Sequence, residues 1–244
     1  RYINNGHVHE AITRYKKAAR MDNTSERRTD LGDAYAYAEL SVNALKQYRR
    51  AIKSNPNDPD PYFSLAEVYG RYGKWHSAIE QYQKAIELSP SSSFYRYKLA
   101  SAYICTQSYE DAIAQMVEAV ASSPNDPFYH YELALIYADN QQDYEAVDEL
   151  EQAVDLADDD DYYYARLAML YVRIGKMQSA IDSISESIRI NPQKDVYKLL
   201  LSDVYEMMGR EIESEIIRDS LGSLSKYDED FINRARRYMQ GDKW

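Results

Sequence analysis

Apolar and small residues recur along this chain at a fixed interval of 34 positions. Each unit begins with a leucine, a small residue and a tyrosine at positions i, i+1 and i+4, which share one face of a helix with 3.6 residues per turn. A second stripe follows, in which one small residue precedes and one follows an apolar or aromatic residue, as in Ala78, Tyr82 and Ala85. The pattern therefore predicts two amphipathic helices in every unit.

Four columns of this pattern hold nearly one residue type through six successive units. The leucine column is Leu31, Leu65, Leu99, Leu133, Leu167 and Leu201. The tyrosine column is Tyr35, Tyr69, Tyr103, Tyr137, Tyr171 and Tyr205. The small columns are Gly32, Ala66, Ala100, Ala134, Ala168 and Ser202, then Ala44, Ala78, Ala112, Ala146, Ala180 and Ser214. Columns of this kind indicate a stacked array, in which each repeat buries its apolar face against its neighbours.

Helix-ending residues mark the limits of the repeats. Glycine, which adopts positive φ at little cost, lies between the two helices at Gly73, Gly175 and Gly209. Proline, which lacks an amide hydrogen, ends the second helix at Pro56, Pro90, Pro124 and Pro192. These signals predict six full repeats, over residues 25–58, 59–92, 93–126, 127–160, 161–194 and 195–228.

The two ends of the chain depart from the full repeat. Residues 1–24 carry the second helix of a truncated repeat, so we expect the chain to begin inside a repeat. Residues 229–244 predict one further helix that caps the last repeat, as terminal helices of repeat arrays do. Its apolar face comprises Phe231, Ile232, Ala235 and Met239.

The 34-residue helix–turn–helix unit, with its small, Tyr, Ala and Pro positions, resembles the tetratricopeptide repeat (TPR). The resemblance covers nearly the whole chain, although Arg, Tyr, His or Lys stands where the family has a tryptophan in the first helix. It implies an all-α fold, a right-handed superhelical solenoid of helix-turn-helix tetratricopeptide repeats. It also implies a function in protein–protein contacts.

Composition excludes several other functions. A net charge of −11 and a pI near 4.9 oppose binding to nucleic-acid phosphates or anionic lipids. The single cysteine, Cys105, excludes an internal disulfide framework and fits a reducing compartment, so we expect a cytoplasmic protein. No apolar run approaches the roughly 18 residues that a membrane-spanning helix needs.

Signals of catalysis are weak. Gly73-Lys74 and Gly175-Lys176 lack the other residues of a phosphate-binding loop, and we interpret both as turns. The chain has neither a G-x-S-x-G nucleophile elbow nor an HExxH zinc motif. The sequence therefore predicts a protein that is not an enzyme, without catalytic residues, metal ligands or cofactors.

Four consecutive carboxylates, Asp158 to Asp161, replace the proline between two predicted repeats. Such a run could recruit a divalent cation, but it lacks the glycine and distant glutamate of a calcium loop. We expect these residues to cap the next helix and to interact favourably with its dipole.

In the resembled family, the first helices line a concave groove beside the packing stripe. Carried over by position, this implies a partner-binding set comprising Phe63, Glu67, Phe94, Tyr97, Phe128, Tyr131, Leu135, Tyr162, Met169 and Arg173. Aromatic side chains offer large contact area with little rotamer entropy to lose, and Glu67 or Arg173 would set the direction of a bound segment. Alternatively, the rings pack against the neighbouring first helix and only tighten the array.

Two functions follow from these observations. The first is a non-catalytic scaffold that holds an extended or helical segment of a partner protein of unknown identity. The second is a self-associating structural or spacer module of a larger protein, in which a catalytic domain could precede Arg1. Its contacts would use the array ends, at Ile3, Val8 and Ile12 or at Phe231 and Met239.

Overall fold

The computed structural model describes residues 7–221 and 225–244, where every regular element is an α-helix. The chain divides into two compact units, the first up to Ser122 and the second from Ser123 to Trp244. Unit 1 contains α1 (Val8–Met21), α2 (Ser25–Tyr37), α3 (Ser41–Ser54), α4 (Asp60–Arg71), α5 (Trp75–Leu88), α6 (Ser93–Cys105) and α7 (Tyr109–Ser122). Unit 2 contains α8 (Pro127–Asp139), α9 (Asp143–Leu156), α10 (Asp161–Arg173), α11 (Met177–Ile190), α12 (Asp195–Met207), α13 (Glu211–Asp219) and α14 (Lys226–Met239).

Within each unit the helices pack as successive hairpins. The first helices are α2, α4 and α6 in unit 1 and α8, α10 and α12 in unit 2, and each packs on the helix that follows it. Each second helix also packs on the next first helix of its own unit. These packings confirm the predicted all-α helical-repeat solenoid. The repeat limits stay predictions, and α14 begins at Lys226, inside the last predicted repeat.

The small columns lie where helices approach most closely. Ala66 and Ala100 in unit 1 and Ala134 in unit 2 have no exposed surface. A Cβ atom on Gly32 would lie 2.3 Å from Cε1 of Tyr48, so the ring of the second helix occupies the space that a side chain would need. Larger side chains at these positions would separate the helices.

The loop inside each hairpin has one conformation at six places. The amide nitrogen five residues after the column tyrosine donates to the carbonyl oxygen of that tyrosine, as Lys74 does to Tyr69 at 3.0 Å. The residue before this amide has a positive φ at Glu39, Gly73, Gln107, Gln141, Gly175 and Gly209. Glycine identified three of these turns from the sequence, and the 34-residue spacing could have identified the other three.

Three residues of the column that replaces the family's tryptophan join their hairpin to the preceding loop. Tyr62, Arg96 and His130 each contact the carbonyl oxygen of the proline six residues earlier, at 3.2, 3.1 and 3.1 Å. Arg96 and His130 also reach the second helix, at Gln115 and Glu149. Hydrogen bonds thus take over the role of an apolar ring.

The acidic run before α10 caps that helix, as predicted. Oδ1 of Asp160 accepts hydrogen bonds from the amides of Tyr162 at 2.9 Å and Tyr163 at 3.0 Å. Oδ2 of Asp161 accepts from Lys194 at 2.7 Å and from the Tyr197 hydroxyl at 2.8 Å, which joins α10 to the start of α12. None of the helices within residues 7–221 and 225–244 combines the length and apolar character needed to cross a membrane.

Candidate partner-binding faces

Unit 1 carries two adjoining cavities, of about 450 and 290 Å³, on the face formed by its first helices. Both are lined by Asp33, Phe63 and Ser64. One arginine, Arg71, stands in these walls against seven carboxylates, Glu26, Asp30, Asp33, Glu39, Asp58, Asp60 and Glu67. Among the described residues, no three of these acids could hold a metal ion together. The excess negative charge instead attracts cationic groups.

An aromatic cluster borders these cavities. Phe63 of α4 stacks on Tyr95 of α6, with ring centres 4.9 Å apart and planes 21° apart. Phe94 lies 5.4 Å from Phe63, and 46% of its surface remains exposed. Tyr97, one turn further along α6, is half-buried. Phe94 therefore presents an accessible ring beside an acidic cavity.

Tyrosines of the second helices hold two carboxylates on this face. The Tyr48 hydroxyl donates to Asp33 at 2.8 Å, and Tyr82, one repeat later, donates to Glu67. Burial and the nearby Glu67 carboxylate raise the pKa of the Tyr82 phenol, so it stays a donor. Lys98 contacts the other oxygen of Glu67 at 3.2 Å. Glu67 is thus engaged inside the unit, and its contact with a partner stays a prediction.

In unit 2, the predicted rings pack on one another. Tyr131 stacks on Tyr163 with centres 4.9 Å and planes 22° apart, and its hydroxyl lies 3.4 Å from that of Tyr162. Leu135 is half-buried on the same helix, and 36% of the Phe128 surface is exposed. Packing on the neighbouring first helix, the alternative left open by the sequence, occurs in both units.

Helix α14 covers the part of the first-helix face of unit 2 that α10 and α12 form. It packs on α10 and α12, so the helix predicted to cap the last repeat reaches one hairpin further back. Its buried residues are Phe231, Ile232, Ala235, Tyr238 and Met239. Met169 is fully buried in the same core, and the Tyr162 ring lies 6.4 Å from Phe231. The expectation of an open groove at Tyr162 and Met169 is not met in this structure, because α14 occupies it.

Arg173 of α10 is engaged inside unit 2. Its guanidinium lies 2.6 Å from Oδ1 of Asp143 and donates to the carbonyl oxygen of Ala138 at 3.3 Å. Its side chain is 5% exposed. A role in directing a bound segment stays a prediction, but the guanidinium would first have to leave these contacts.

Arg166, two turns earlier on α10, is buried without a hydrogen-bond acceptor. It is 1% exposed, and none of its three nitrogens has a partner within the described residues. Its guanidinium carbon lies 4.5 Å from the ring centre of Tyr238 and 3.8 Å from that of Trp244. The charge is therefore stabilised by two aromatic faces and electrostatically by the Asp139 carboxylate, while no oxygen of the described residues accepts its hydrogen bonds.

The sequence pattern does not indicate Tyr238 and Trp244 as contacts of Arg166. Tyr238 follows Phe231 by seven residues and shares its helical face, so periodicity could have placed it in the buried stripe. Trp244 lies beyond the end of α14, where periodicity no longer applies. No sequence signal connects it to Arg166.

The end surfaces proposed for self-association are largely buried. Ile12 packs in the core of unit 1, with Val8 half-buried beside it. Phe231 and Met239 belong to the core of unit 2. Ile12, Phe231 and Met239 are therefore covered by their own units, whereas Val8 keeps part of its surface exposed. Ile3 lies outside the described residues.

Family models match the chain over three stretches. The model described as anaphase-promoting complex, cyclosome, subunit 3 matches residues 40–119. Two models of the tetratricopeptide repeat match residues 97–161 and 162–194. No curated protein sequence matches the chain.

Solved TPR structures share the fold at low identity. The C-terminal part of a TPR repeat-containing protein from Cytophaga hutchinsonii is 17% identical, with a TM-score of 0.75 over 93% of this chain and 95% of that one. YrrB, described as a TPR protein with an unusual peptide-binding site, is 18% identical, with a TM-score of 0.60 over 80% and 97%. MamA from Desulfovibrio magneticus RS-1 is 19% identical, with a TM-score of 0.60 over 69% and 95%. Together with the family models, the repeat columns and the helical hairpins show that this chain belongs to the tetratricopeptide repeat family.

Proposed function

We propose that this chain is a non-catalytic scaffold that binds a segment of a partner protein on the first-helix face of unit 1. TPR proteins generally mediate protein–protein contacts, and YrrB is described as having a peptide-binding site. The observation that carries the proposal is the exposed Phe94 ring beside two acidic cavities. An apolar anchor next to a charged, concave surface is a common arrangement for peptide recognition.

The chemistry of this face selects a basic segment with an apolar side chain. Seven carboxylates against one arginine in the cavity walls favour lysine or arginine in the partner. Phe63 and Phe94 offer ring faces that a leucine or an aromatic side chain would cover. The charged groups would mainly speed association, and the apolar anchor would mainly slow dissociation.

A displayed library of random peptides, selected on the immobilised chain, tests this proposal. We expect enriched peptides to combine two or more basic residues with one large apolar residue. Their affinity should fall with rising salt, because the carboxylates are accessible to ions. Phe94→Ala should weaken binding by roughly tenfold, as loss of an aromatic anchor typically does.

Phe128→Ala is the matched control, since Phe128 holds the same repeat column in unit 2. Binding that is lost equally in both variants would contradict the assignment to unit 1. Enriched peptides without basic residues would contradict the proposed charge. Glu26→Gln with Asp30→Asn should reduce the salt dependence while circular dichroism stays unchanged.

A specific observation also favours self-association as a second candidate function. Ile212 and Ile216 are exposed and lie one turn apart on α13. Met207 and Met208 are exposed at the end of α12. Exposed apolar side chains in such a group mark contact surfaces. Sedimentation should then show a concentration-dependent mass that Ile212→Lys with Ile216→Lys abolishes, and a strict monomer at all concentrations would contradict it.

A further inference from the structure

One pair of repeat columns holds an ion pair in unit 1 and a different pair of residue types in unit 2. In unit 1, Lys98 of α6 contacts Glu67 of α4 at 3.2 Å. The residues 68 positions later, in the same two columns, are Arg166 and Leu135. The cation is therefore retained in unit 2, while an apolar side chain stands in the column of its acidic partner.

The contacts that Arg166 does make leave its donors unused. A guanidinium has five N–H donors in a planar fork that matches the two oxygens of a carboxylate. The rings of Tyr238 and Trp244 offset the charge, but they accept none of these hydrogen bonds in conventional geometry. Buried charges in proteins are normally both paired and hydrogen-bonded. Arg166 is an exception at the centre of the surface that α14 covers.

The covering segment, Lys226–Trp244, fits this surface incompletely in a second place. The Tyr238 hydroxyl is also buried without a hydrogen-bond partner in the described chain. The segment makes a polar contact with α12 through Arg236, which donates to Asp203 at 2.7 and 2.9 Å. Obligate cores satisfy nearly all their buried polar groups. Arg166 and the Tyr238 hydroxyl are thus two buried groups that the covering segment leaves without a hydrogen-bond partner.

We propose that the part of the first-helix face formed by α10 and α12 is a second protein-binding site, held closed by the covering segment. Its ligand is an amphipathic helix of a partner protein that carries a carboxylate where α14 has Tyr238. The partner displaces the covering segment, buries a similar apolar stripe and gives Arg166 the bidentate acceptor that it lacks. This site uses other residues than the unit 1 face, so the two proposals stand or fall separately.

Two labelled peptides test the proposal on the full chain. The first has the sequence of residues 226–244, and the second differs from it by Tyr238→Glu. The protein carries Phe231→Ala and Trp244→Ala, which weaken its own covering segment and leave the face intact. We expect the peptide with the carboxylate to bind roughly tenfold more tightly than the first, as a charge-assisted bidentate contact provides. The unaltered chain should bind both peptides more weakly, because its own segment competes.

Two variants of the face isolate the role of Arg166. Arg166→Met, in the same background, should remove the advantage of the carboxylate peptide while leaving the first peptide bound. Leu135→Glu should also remove it, because the introduced carboxylate occupies the guanidinium as Glu67 occupies Lys98. Equal affinities for the two peptides before these changes would overturn the proposal. So would an advantage that persists in both variants.

Hydrogen exchange on the unaltered chain gives a test that needs no variant. If the covering segment is displaceable, the amides of α14 should exchange through an opening that leaves α8, α10 and α12 protected. Exchange of α14 only together with those helices would overturn the proposal. It would show that the segment is part of the obligate core of unit 2.

Discussion

The first-helix faces of the two units share their packing and differ in what lies over them. Phe63 and Tyr95 in unit 1 occupy the same columns as Tyr131 and Tyr163 in unit 2. Both pairs stack with centres 4.9 Å apart, at 21° and 22°. Ring stacking between neighbouring first helices is therefore a property of the repeat, and it does not by itself indicate a binding surface.

The difference between the faces begins one column away. Phe94 in unit 1 is 46% exposed, whereas Tyr162, in the same column of unit 2, lies against Phe231. The next residue of this column, Val196, is buried. Accessibility is thus set by α14 and not by the repeat pattern. A repeat column shows which side chains face one way, and only the rest of the chain decides whether a partner can reach them.

Of the changes considered, removal of the Phe231 ring should produce the largest difference in stability between the two units. Phe231→Ala deletes a buried ring that contacts Tyr162, Tyr197 and Trp244. We expect a loss of about 3–5 kcal/mol in the docking of α14, which is typical of Phe→Ala in a core. Segment-resolved hydrogen exchange should show faster exchange in α14, with unit 1 unchanged.

Phe94→Ala is the matched change in unit 1. Since nearly half of the Phe94 surface is exposed, we expect loss of its ring to change the free energy of unfolding by less than about 0.5 kcal/mol. Equal effects of the two substitutions would contradict the distinction between an open and a covered face.

A larger side chain in one of the small-residue columns should lower the stability of the two units to a similar extent. Ala134→Leu in unit 2 and Ala66→Leu in unit 1 each add atoms where a helix contact leaves no exposed surface. Overpacking of this kind typically costs about 1–3 kcal/mol. We expect a lower thermal midpoint for both by circular dichroism and no change for Ala121→Leu, whose side chain is exposed. An unchanged midpoint for Ala134→Leu would contradict the predicted helix register.

The sequence was sufficient for those features that repeat. The leucine, tyrosine and alanine columns predicted the hairpins and their contacts because each repeat meets its neighbours in the same way. The cap at Asp160 was predictable because a helix N-terminus needs a local acceptor. The cover over Met169 was not, because periodicity shows the apolar face of α14 but does not show which helices that face meets. The contact between Arg166 and Trp244 joins distant parts of the chain that share no pattern.

The positive φ of the hairpin loops should have similar effects in both units. Gln107→Gly in unit 1 and Gln141→Gly in unit 2 relieve a side chain of the left-handed conformation, at φ 60° and 63°. Gly73→Ala and Gly175→Ala impose it. We expect the free energy of unfolding to rise by about 1 kcal/mol in each glutamine variant and to fall by about 1 kcal/mol in each glycine variant.

Urea unfolding measures these four variants. Added Cβ atoms at Gly73 and Gly175 meet nothing within 4 Å, so the cost would come from the backbone alone. A loss of stability in both glutamine variants would show that their side chains contribute more than the conformation costs.

The smallest effect concerns a carboxyl group that the position two repeats earlier, in unit 1, lacks. Glu132 of α8 corresponds to Ser64 of α4, and burial raises the pKa of Glu132 above its ordinary value of 4.5. The folded protein thus favours the neutral carboxyl group. The stability that this shift contributes is complete below the pKa that Glu132 has in the unfolded chain. It is lost as the pH rises through the pKa that Glu132 has in the folded protein. Glu132→Gln, which is always neutral, should match the original stability near pH 4. It should exceed that stability at pH 7 by a gain on the order of 1 kcal/mol or less. Urea midpoints measured from pH 4 to 8 test this prediction, with Glu80→Gln at an exposed position as the control. A stability difference between Glu132→Gln and the original chain that does not change with pH would show that burial of the charge does not cause it.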